Sequence, residues 1–392
     1  MSVATPALFC GIPNGIYLDI KCHQGKQSSI MDSWSIGKGM MGGGILGFLG
    51  LYLRIKIFLA HRPLGPSPHT IGDYDIFENS KVEEKVTNGW QESACPFRPP
   101  PPAFPVTLPR FAPSPITKNI FFLETKCSTS INAKMACAVE SAALHHPDHH
   151  IHLAFTATKV SASDIIMQVL AQISNVHITS LDIDTLAANS GKLGGWIKSL
   201  QWAKSEWAGI NLSDAVRLVA VCQVGGTYLD LDLITIAPFP TTDAWVGREK
   251  WEQLSNGAFR LPKNHWFCEQ ATKELTENYQ GDVWGHNGPG VFQRAIKNAC
   301  NLETIQNTNH CRDLVMLEPP AFYQIHWQKW EELFKAGGSA TWEWPQSAVG
   351  LHLWNKFSFN AQLSPGDSSV IDQVAEQHCP RVYNAIQTVH RI

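Results

Sequence analysis

Between Asn211 and Leu233 the chain reads NLSDAVRLVAVCQVGGTYLDLDL, and this stretch constrains the fold more than any other. Nearly every position from Ala215 to Val224 is apolar, so the helix it predicts has no solvent face and must lie inside a layered core. Ser213 reads as its N-cap, and Gly225 and Gly226 as its stop. Asp214 and Arg217, one turn apart on the same face, are its only charges. Buried charges are paired or bound to something. An internal ion pair and a ligand-gripping pair both satisfy that rule.

Behind the glycines, TYLDLDL predicts an extended run with Asp230 and Asp232 on one face and Leu229, Leu231 and Leu233 on the other. Two carboxylates so placed suit a hard divalent cation that keeps positions free for phosphate oxygens. A chain of this length should hold on the order of one Asp-x-Asp by chance. This one holds three, so the motif alone decides nothing. Asp73/Asp75 has no glycine turn before it, and Asp182/Asp184, in SLDIDTL, reads as an ordinary strand or loop. Only Asp230/Asp232 has supporting residues on both sides.

From Lys118 onward, short apolar strands alternate with helical stretches: NIFFLE, the helix Asn132 to His145, HIHLAF, then DIIMQVLAQI. That alternation predicts a parallel-sheet α/β domain with ligands at the strand C-termini. Residues 61–116 are polar and then proline-dense, with nine prolines between Cys95 and Pro115, and read as a stem. Ahead of it, Gly39 to Leu53 is uncharged and apolar. Fifteen helical residues cover only about 22 Å of a hydrocarbon core near 30 Å. Extension to Ala60 gives enough length but brings in Arg54 and Lys56, which fit only near an interface. Lys21, Lys26 and Lys38 on one side balance Arg54, Lys56 and Arg62 on the other, so charge sets no orientation. Residues 1–38 form a tail, which a start at Met31 would shorten to MDSWSIGK.

A net charge of -3 offers no basic footprint, which excludes nucleic acid as the expected partner. Ten cysteines without a CxxC pair argue against structural zinc. Cys300/Cys311 is the best local disulfide pair by spacing. Pro147 splits the cluster His145 to His152, which therefore reads as a helix-to-strand turn in solvent, not a metal site. Asn211 begins the sequon NLS but abuts the buried helix, where steric access for glycosylation is poor.

The run SDxxR, seven residues, then GGxYxDxD resembles the retaining glycosyltransferases that include alpha-1,4-galactosyltransferases acting on lactosylceramide and alpha-1,4-N-acetylglucosaminyltransferases. NIFFLE, ACAVESAA, WGHNGPGVF, PPAFYQIHW and LHLWNK follow the family's blocks in order, so the resemblance covers about residues 117–392, with a DXD region to about 255 and a C-terminal region from about 256. It implies a GT-A type nucleotide-sugar-binding fold, with a Rossmann-like central sheet flanked by helices. It implies that Asp232 coordinates Mn2+ directly, that Asp230 contacts the ribose and the metal shell, and that His352 completes the protein ligands. Asp214 and Arg217 would bind the donor sugar, with Gly225, Gly226 and Tyr228 beside the donor. Trp354 and Asn355 would meet the diphosphate, and Asn287 and Gly288 the sugar and acceptor side.

The activity so implied is transfer of galactose, GalNAc or GlcNAc from a UDP-sugar, in alpha-1,4 linkage, to a terminal galactose-type acceptor such as a glycosphingolipid. Mannosyl or glucosyl transfer and a non-catalytic glycan-binding role are the alternatives. The implied setting is the Golgi membrane, with Gly39 to Ala60 as a type II signal anchor and the catalytic domain in the oxidising lumen. Two departures from the family, Cys222-Gln223-Val224 before the glycines and Asn264-His265-Trp266 in place of an HP dipeptide, bear on the acceptor.

Overall fold

The computed structural model describes residues 105–113 and 118–390; Gly39 to Ala60 and the Asp73/Asp75 pair lie outside them. NIFFLE forms β1 (Asn119–Glu124), buried along its whole length. Ile120 and Phe122 enter one core, while Phe121 and Leu123 enter a second. A strand covered on both faces needs consecutive apolar residues, which is why this run does not alternate. β2 (His150–Phe155) and β3 (Val176–Ser180) extend the sheet in parallel on one side. β4 (Gly226–Leu229) pairs in parallel on the other.

The sheet as a whole is mixed, which corrects the parallel-sheet expectation. β5 (Leu233–Thr235), β6 (Trp245–Lys250), β7 (Gln253–Leu261), β8 (His310–Cys311) and β9 (Leu314–Leu317) follow in the chain. The eight-stranded order is β8-β9-β6-β7-β4-β1-β2-β3, with β7 antiparallel to both β4 and β6. The β6–β7 hairpin turns at Trp251-Glu252 without a glycine, asparagine or proline, so no turn signal marked it. β5 leaves the main sheet to pair antiparallel with β10 (Gly350–His352).

Helices cover both faces. α1 (Ala133–His145) begins where the Asn132 side chain accepts from the Met135 N–H. α2 (Ala208–Val224) is the apolar helix, and Gly225 ends it at φ 81°. Its start differs from the expectation: Ser213 lies buried inside it, and the entry is held by the Ser205 hydroxyl, which accepts the Trp207 N–H at 2.9 Å. α3 (Trp266–Glu277) and α4 (Pro289–Cys300) share the α2 core. The short α5 (Asn355–Ser358) follows β10, and α6 (Val370–His378) and α7 (Pro380–His390) pack with α1 in the other core.

Disulfides join Cys137 to Cys379, Cys222 to Cys268 and Cys300 to Cys311. The first ties α1 to the end of α6, and the second ties α2 to α3. Cys222, which departs from the family pattern, thus has a structural use. The histidine cluster is less exposed than expected. His146 stacks on Phe239 and His152 on Phe121, both buried, because the strand and the helix end each turn a histidine inward. Among the described residues no helix is long and apolar enough to cross a membrane.

Candidate active site

The two aspartates are not on a continuous strand, which corrects the extended reading of TYLDLDL. β4 stops at Leu229: Asp230 N still donates across to Gly257 O of β7 at 2.8 Å, but Asp230 O accepts Leu233 N at 3.1 Å, which turns the chain. Asp230 and Asp232 therefore sit in the turn where the chain crosses from the main sheet to the β5–β10 pair. His352, the last residue of β10, is opposite Leu233 in the register. Ligand atoms of Asp230, Asp232 and His352 all lie within 4.8 Å of one another, and among the described residues they are the group able to hold a metal ion.

Asp230 is anchored on one oxygen. Its Oδ1 accepts from the Tyr228 hydroxyl at 2.8 Å and from Arg217 Nη1 at 2.9 Å. A Cβ at Gly257 would stand 2.5 Å from its Oδ2, so glycine is required there for close approach. Asp232 Oδ2 accepts the Asn355 N–H at 2.6 Å, and its Oδ1 is 3.4 Å from His352 Nε2. The other imidazole nitrogen, Nδ1, accepts the Trp354 N–H at 3.2 Å.

Arg217 is buried and multiply bonded. Besides Asp230 it donates to Ser213 O, Ser213 Oγ and Asn256 O, its guanidinium lies 4.5 Å from the centre of the Tyr228 ring, and Asp214 Oδ1 is 3.6 Å away. Burial works against its charge, but Asp230, Tyr228 and Asp214 more than offset it and hold the group above the usual arginine range. Burial pushes the Asp214 carboxyl up to about 6, against the pull of Arg217 and of the Asn256 amide that donates to it at 2.7 Å. The ion-pair reading of Asp214 and Arg217 therefore holds in part. The two are neighbours, yet the closer partner of Arg217 is Asp230, and both line the same cleft as the aspartate turn.

That cleft encloses about 1090 Å³. Its wall also carries Asn256, Glu249 and Tyr323, which the sequence reading missed. Tyr323 donates to or accepts from Ser255 Oγ at 2.5 Å, and burial holds its phenol well above the usual value. Burial likewise raises the Glu249 carboxyl. The signal for Asn256 and Tyr323 was their place in SNGAF and PPAFY; a carboxylate in β6 carried none.

The remaining expected residues are placed as follows. Trp354 is buried at φ 55°, with its indole N–H spent on Ile325 O, so it is the next backbone amide, Asn355, that meets Asp232. Asn287 is buried beneath the cleft, its amide bridging Asn211 Oδ1 and Gln280 O. Gly288 backs Asp214: a Cβ there would stand 2.7 Å from Asp214 Oδ2. Gly226 packs on the Asn119 carbonyl, which a Cβ would approach to 2.6 Å. Asn211, the sequon residue, is buried and donates to Ser205 Oγ and Tyr279 Oη. Lys134, unnoticed in the sequence, reaches from α1 to Ser358 O and to Phe359 O, so α5 is held by Asp232 at its start and Lys134 at its end. Burial pushes that ammonium down to about 8, and Asp232 opposes the shift.

A mixed α/β sheet with helices on both faces and an aspartate turn facing an imidazole in a large cleft suits a glycosyltransferase, and comparison with known proteins gives the family. The chain matches "Alpha 1,4-glycosyltransferase conserved region" over residues 260–386 and "Glycosyltransferase sugar-binding region containing DXD motif" over residues 132–252. It belongs to the alpha-1,4-glycosyltransferase family. It is 30% identical over 278 residues to lactosylceramide 4-alpha-galactosyltransferase of Mus musculus, covering 69% of this chain and 76% of that one. The Homo sapiens protein of the same description is 29% identical over 327 residues, 81% of this chain and 88% of that one. Alpha-1,4-N-acetylglucosaminyltransferase of Homo sapiens is 27% identical over 279 residues, 68% of this chain and 80% of that one.

Proposed function

We propose that the protein is a retaining alpha-1,4-glycosyltransferase of GT-A type that moves galactose, or GalNAc or GlcNAc, from a UDP-sugar to a terminal galactose-type acceptor such as the headgroup of lactosylceramide. The observation that carries this reading is the convergence of Asp230, Asp232 and His352 at the cleft. Two carboxylates and an imidazole are a donor set that fits Mn2+. The buried Asn355 Oδ1, which has no hydrogen-bond partner, adds polar capacity beside them. When bound, the ion supplies Lewis-acid stabilisation of charge on the departing diphosphate.

This chain's own residues supply the rest. Arg217 and Tyr228 engage Asp230 Oδ1 and leave Oδ2 for a ligand, while the α5 amide fixes Asp232. Asp214, aligned by Asn256, would accept hydrogen bonds from donor-sugar hydroxyls. In the transfer, the bond from the anomeric carbon to phosphate breaks, a bond from the acceptor oxygen to that carbon forms on the same face, and the acceptor proton passes to the leaving phosphate oxygen. The disulfides Cys137–Cys379, Cys222–Cys268 and Cys300–Cys311 support residence in an oxidising lumen, with Gly39 to Ala60 as the type II Golgi anchor.

The test is to express the full chain in a secretory host and incubate it with UDP-Gal, UDP-GalNAc and UDP-GlcNAc plus lactosyl acceptors, with and without Mn2+. Product linkage by NMR identifies the reaction. A lack of Mn2+-dependent product and of Mn2+–UDP binding would overturn it.

A further inference from the structure

Among the described residues the exposed large apolar side chains are few, and Val283, Trp284 and Phe357 of that small set line the cleft described above. Trp284 is 47% exposed, far more than an indole used for packing. It meets Trp207 edge to face, with ring centroids 4.7 Å apart. Phe357 stacks on Trp327 at 5.0 Å, the planes only 16° apart, so both rings present ordered faces. The Lys356 ammonium lies over one face of Trp284, 3.2 Å from its centroid, and 5.8 Å from the centroid of Phe357, which ties the two ring pairs together and puts any stacking on the other indole face. Lys356 and Phe357 lie immediately after Asn355, whose amide holds Asp232.

We propose that Trp284, braced by Trp207 and Lys356, with Phe357 beside it, is a stacking platform for a pyranose ring of the acceptor. Leaving an indole about half in water where it lines a cleft forgoes burial that packing would give, so such a ring is a candidate contact for a ligand. A flat aromatic face matches the C–H face of a galactose-type ring, while the cleft's polar wall residues, such as Gln253, Gln293 and His286, offer partners for its hydroxyls. An alkyl chain would instead want a continuous apolar trough, and Lys356 and His286 interrupt this one. The identity of the ligand as an acceptor rests on the transferase reading; the platform itself does not.

The experiment is saturation-transfer NMR of lactose with the full chain in detergent, repeated with octyl lactoside. Transfer should concentrate on the ring C–H protons. Trp284→Ala should weaken lactose binding at least about tenfold, which is about 1.4 kcal/mol, and Trp284→Phe should restore most of it. Mn2+–UDP binding by calorimetry, unchanged in the alanine variant, would show that the cleft is intact. Undiminished lactose signals in Trp284→Ala would overturn the platform, as would a dependence on Trp284 seen only with the octyl chain. If lactose binding depends on Trp284 but no UDP-sugar is turned over, the transferase reading fails and the platform stands.

Discussion

The backbone N–H of Asn355 donates to Asp232 Oδ2 over 2.6 Å, joining two segments 123 residues apart in the chain. The link makes the aspartate turn and the β10–α5 corner one unit, in which Asp232 faces His352 on its other oxygen. Asp232→Asn keeps the size of the side chain but removes the charge that suits it to a cation. Transfer should fall by more than tenfold, a loss above about 1.4 kcal/mol of transition-state stabilisation, while thermal melting stays near that of the parent. Retention of more than a tenth of the activity, with unchanged Mn2+ affinity by calorimetry, would remove Asp232 from the metal site.

Arg217→Lys should fail despite the kept charge. The guanidinium serves Asp230, Asn256 O, Ser213 O and Ser213 Oγ at once, and an ammonium on a flexible stem cannot reproduce that fork. One buried acceptor left unpaired already costs about 1–3 kcal/mol, so denaturant unfolding should show at least that drop. Activity should also be lost at low temperature, where the variant is still folded. Survival of activity there would mean that Arg217 is only a structural counter-ion.

What could be read from the chain depended on how local the cause was. The α2 helix, its glycine stop and the β1, α1 and β2 succession follow from short-range patterns, and each stands in the structure at or within a few residues of its expected place. The Asp214/Arg217 spacing likewise placed both on one helical face. What sequence spacing could not supply were contacts set by chain crossing. Asp230 and Asp232 share a site because β5 switches sheets, not because strand residues alternate. Asn256, Glu249 and Lys134 reach the site from strands and a helix whose own patterns looked purely structural. The mixed sheet escaped because the β6–β7 turn uses no turn-forming residue.

Asp182 shows what the second Asp-x-Asp pair does. Its side chain caps the helix Ile183–Ala188, accepting the Thr185 N–H at 3.1 Å and the Thr185 hydroxyl at 2.8 Å. Asparagine caps helices about as well as aspartate. Asp182→Asn should therefore leave both the melting temperature and the Mn2+ requirement unchanged, whereas Asp182→Ala should cost about 0.5–2 kcal/mol without altering the metal requirement. A changed Mn2+ dependence in either variant would show that the wrong pair was assigned to the ion.

The Cys222–Cys268 bond fastens α2, which carries Asp214 and Arg217, to α3 across 46 residues. Closing a loop of that size restricts the unfolded chain by about 3–4 kcal/mol. The double substitution Cys222→Ala, Cys268→Ala should lower unfolding stability by roughly that amount, measured by denaturant titration under non-reducing conditions. An unchanged midpoint would show that α2 and α3 are held by packing alone.

Acid should destabilise the fold through histidines buried uncharged. Burial pushes His146 down to about 4, with His149, His145 and Arg260 adding to the shift and Asp148 opposing it; His378 is also pushed down to about 4, by burial and His145. An ordinary histidine in the unfolded chain titrates near 6.5, so between about pH 6.5 and 4 the unfolded state binds more protons than the folded one. Stability is therefore fully present above about 6.5 and is lost progressively as the pH falls toward 4. His146 stacks on Phe239 at a centroid distance of 4.3 Å, and its Nε2 is buried with no hydrogen-bond partner, so a phenyl ring can replace it without orphaning a polar group. Melting curves of His146→Phe between pH 7.5 and 4.5 should show a shallower fall in Tm with acidification than the parent. Parallel curves through that interval would mean that His146 does not contribute to the acid sensitivity.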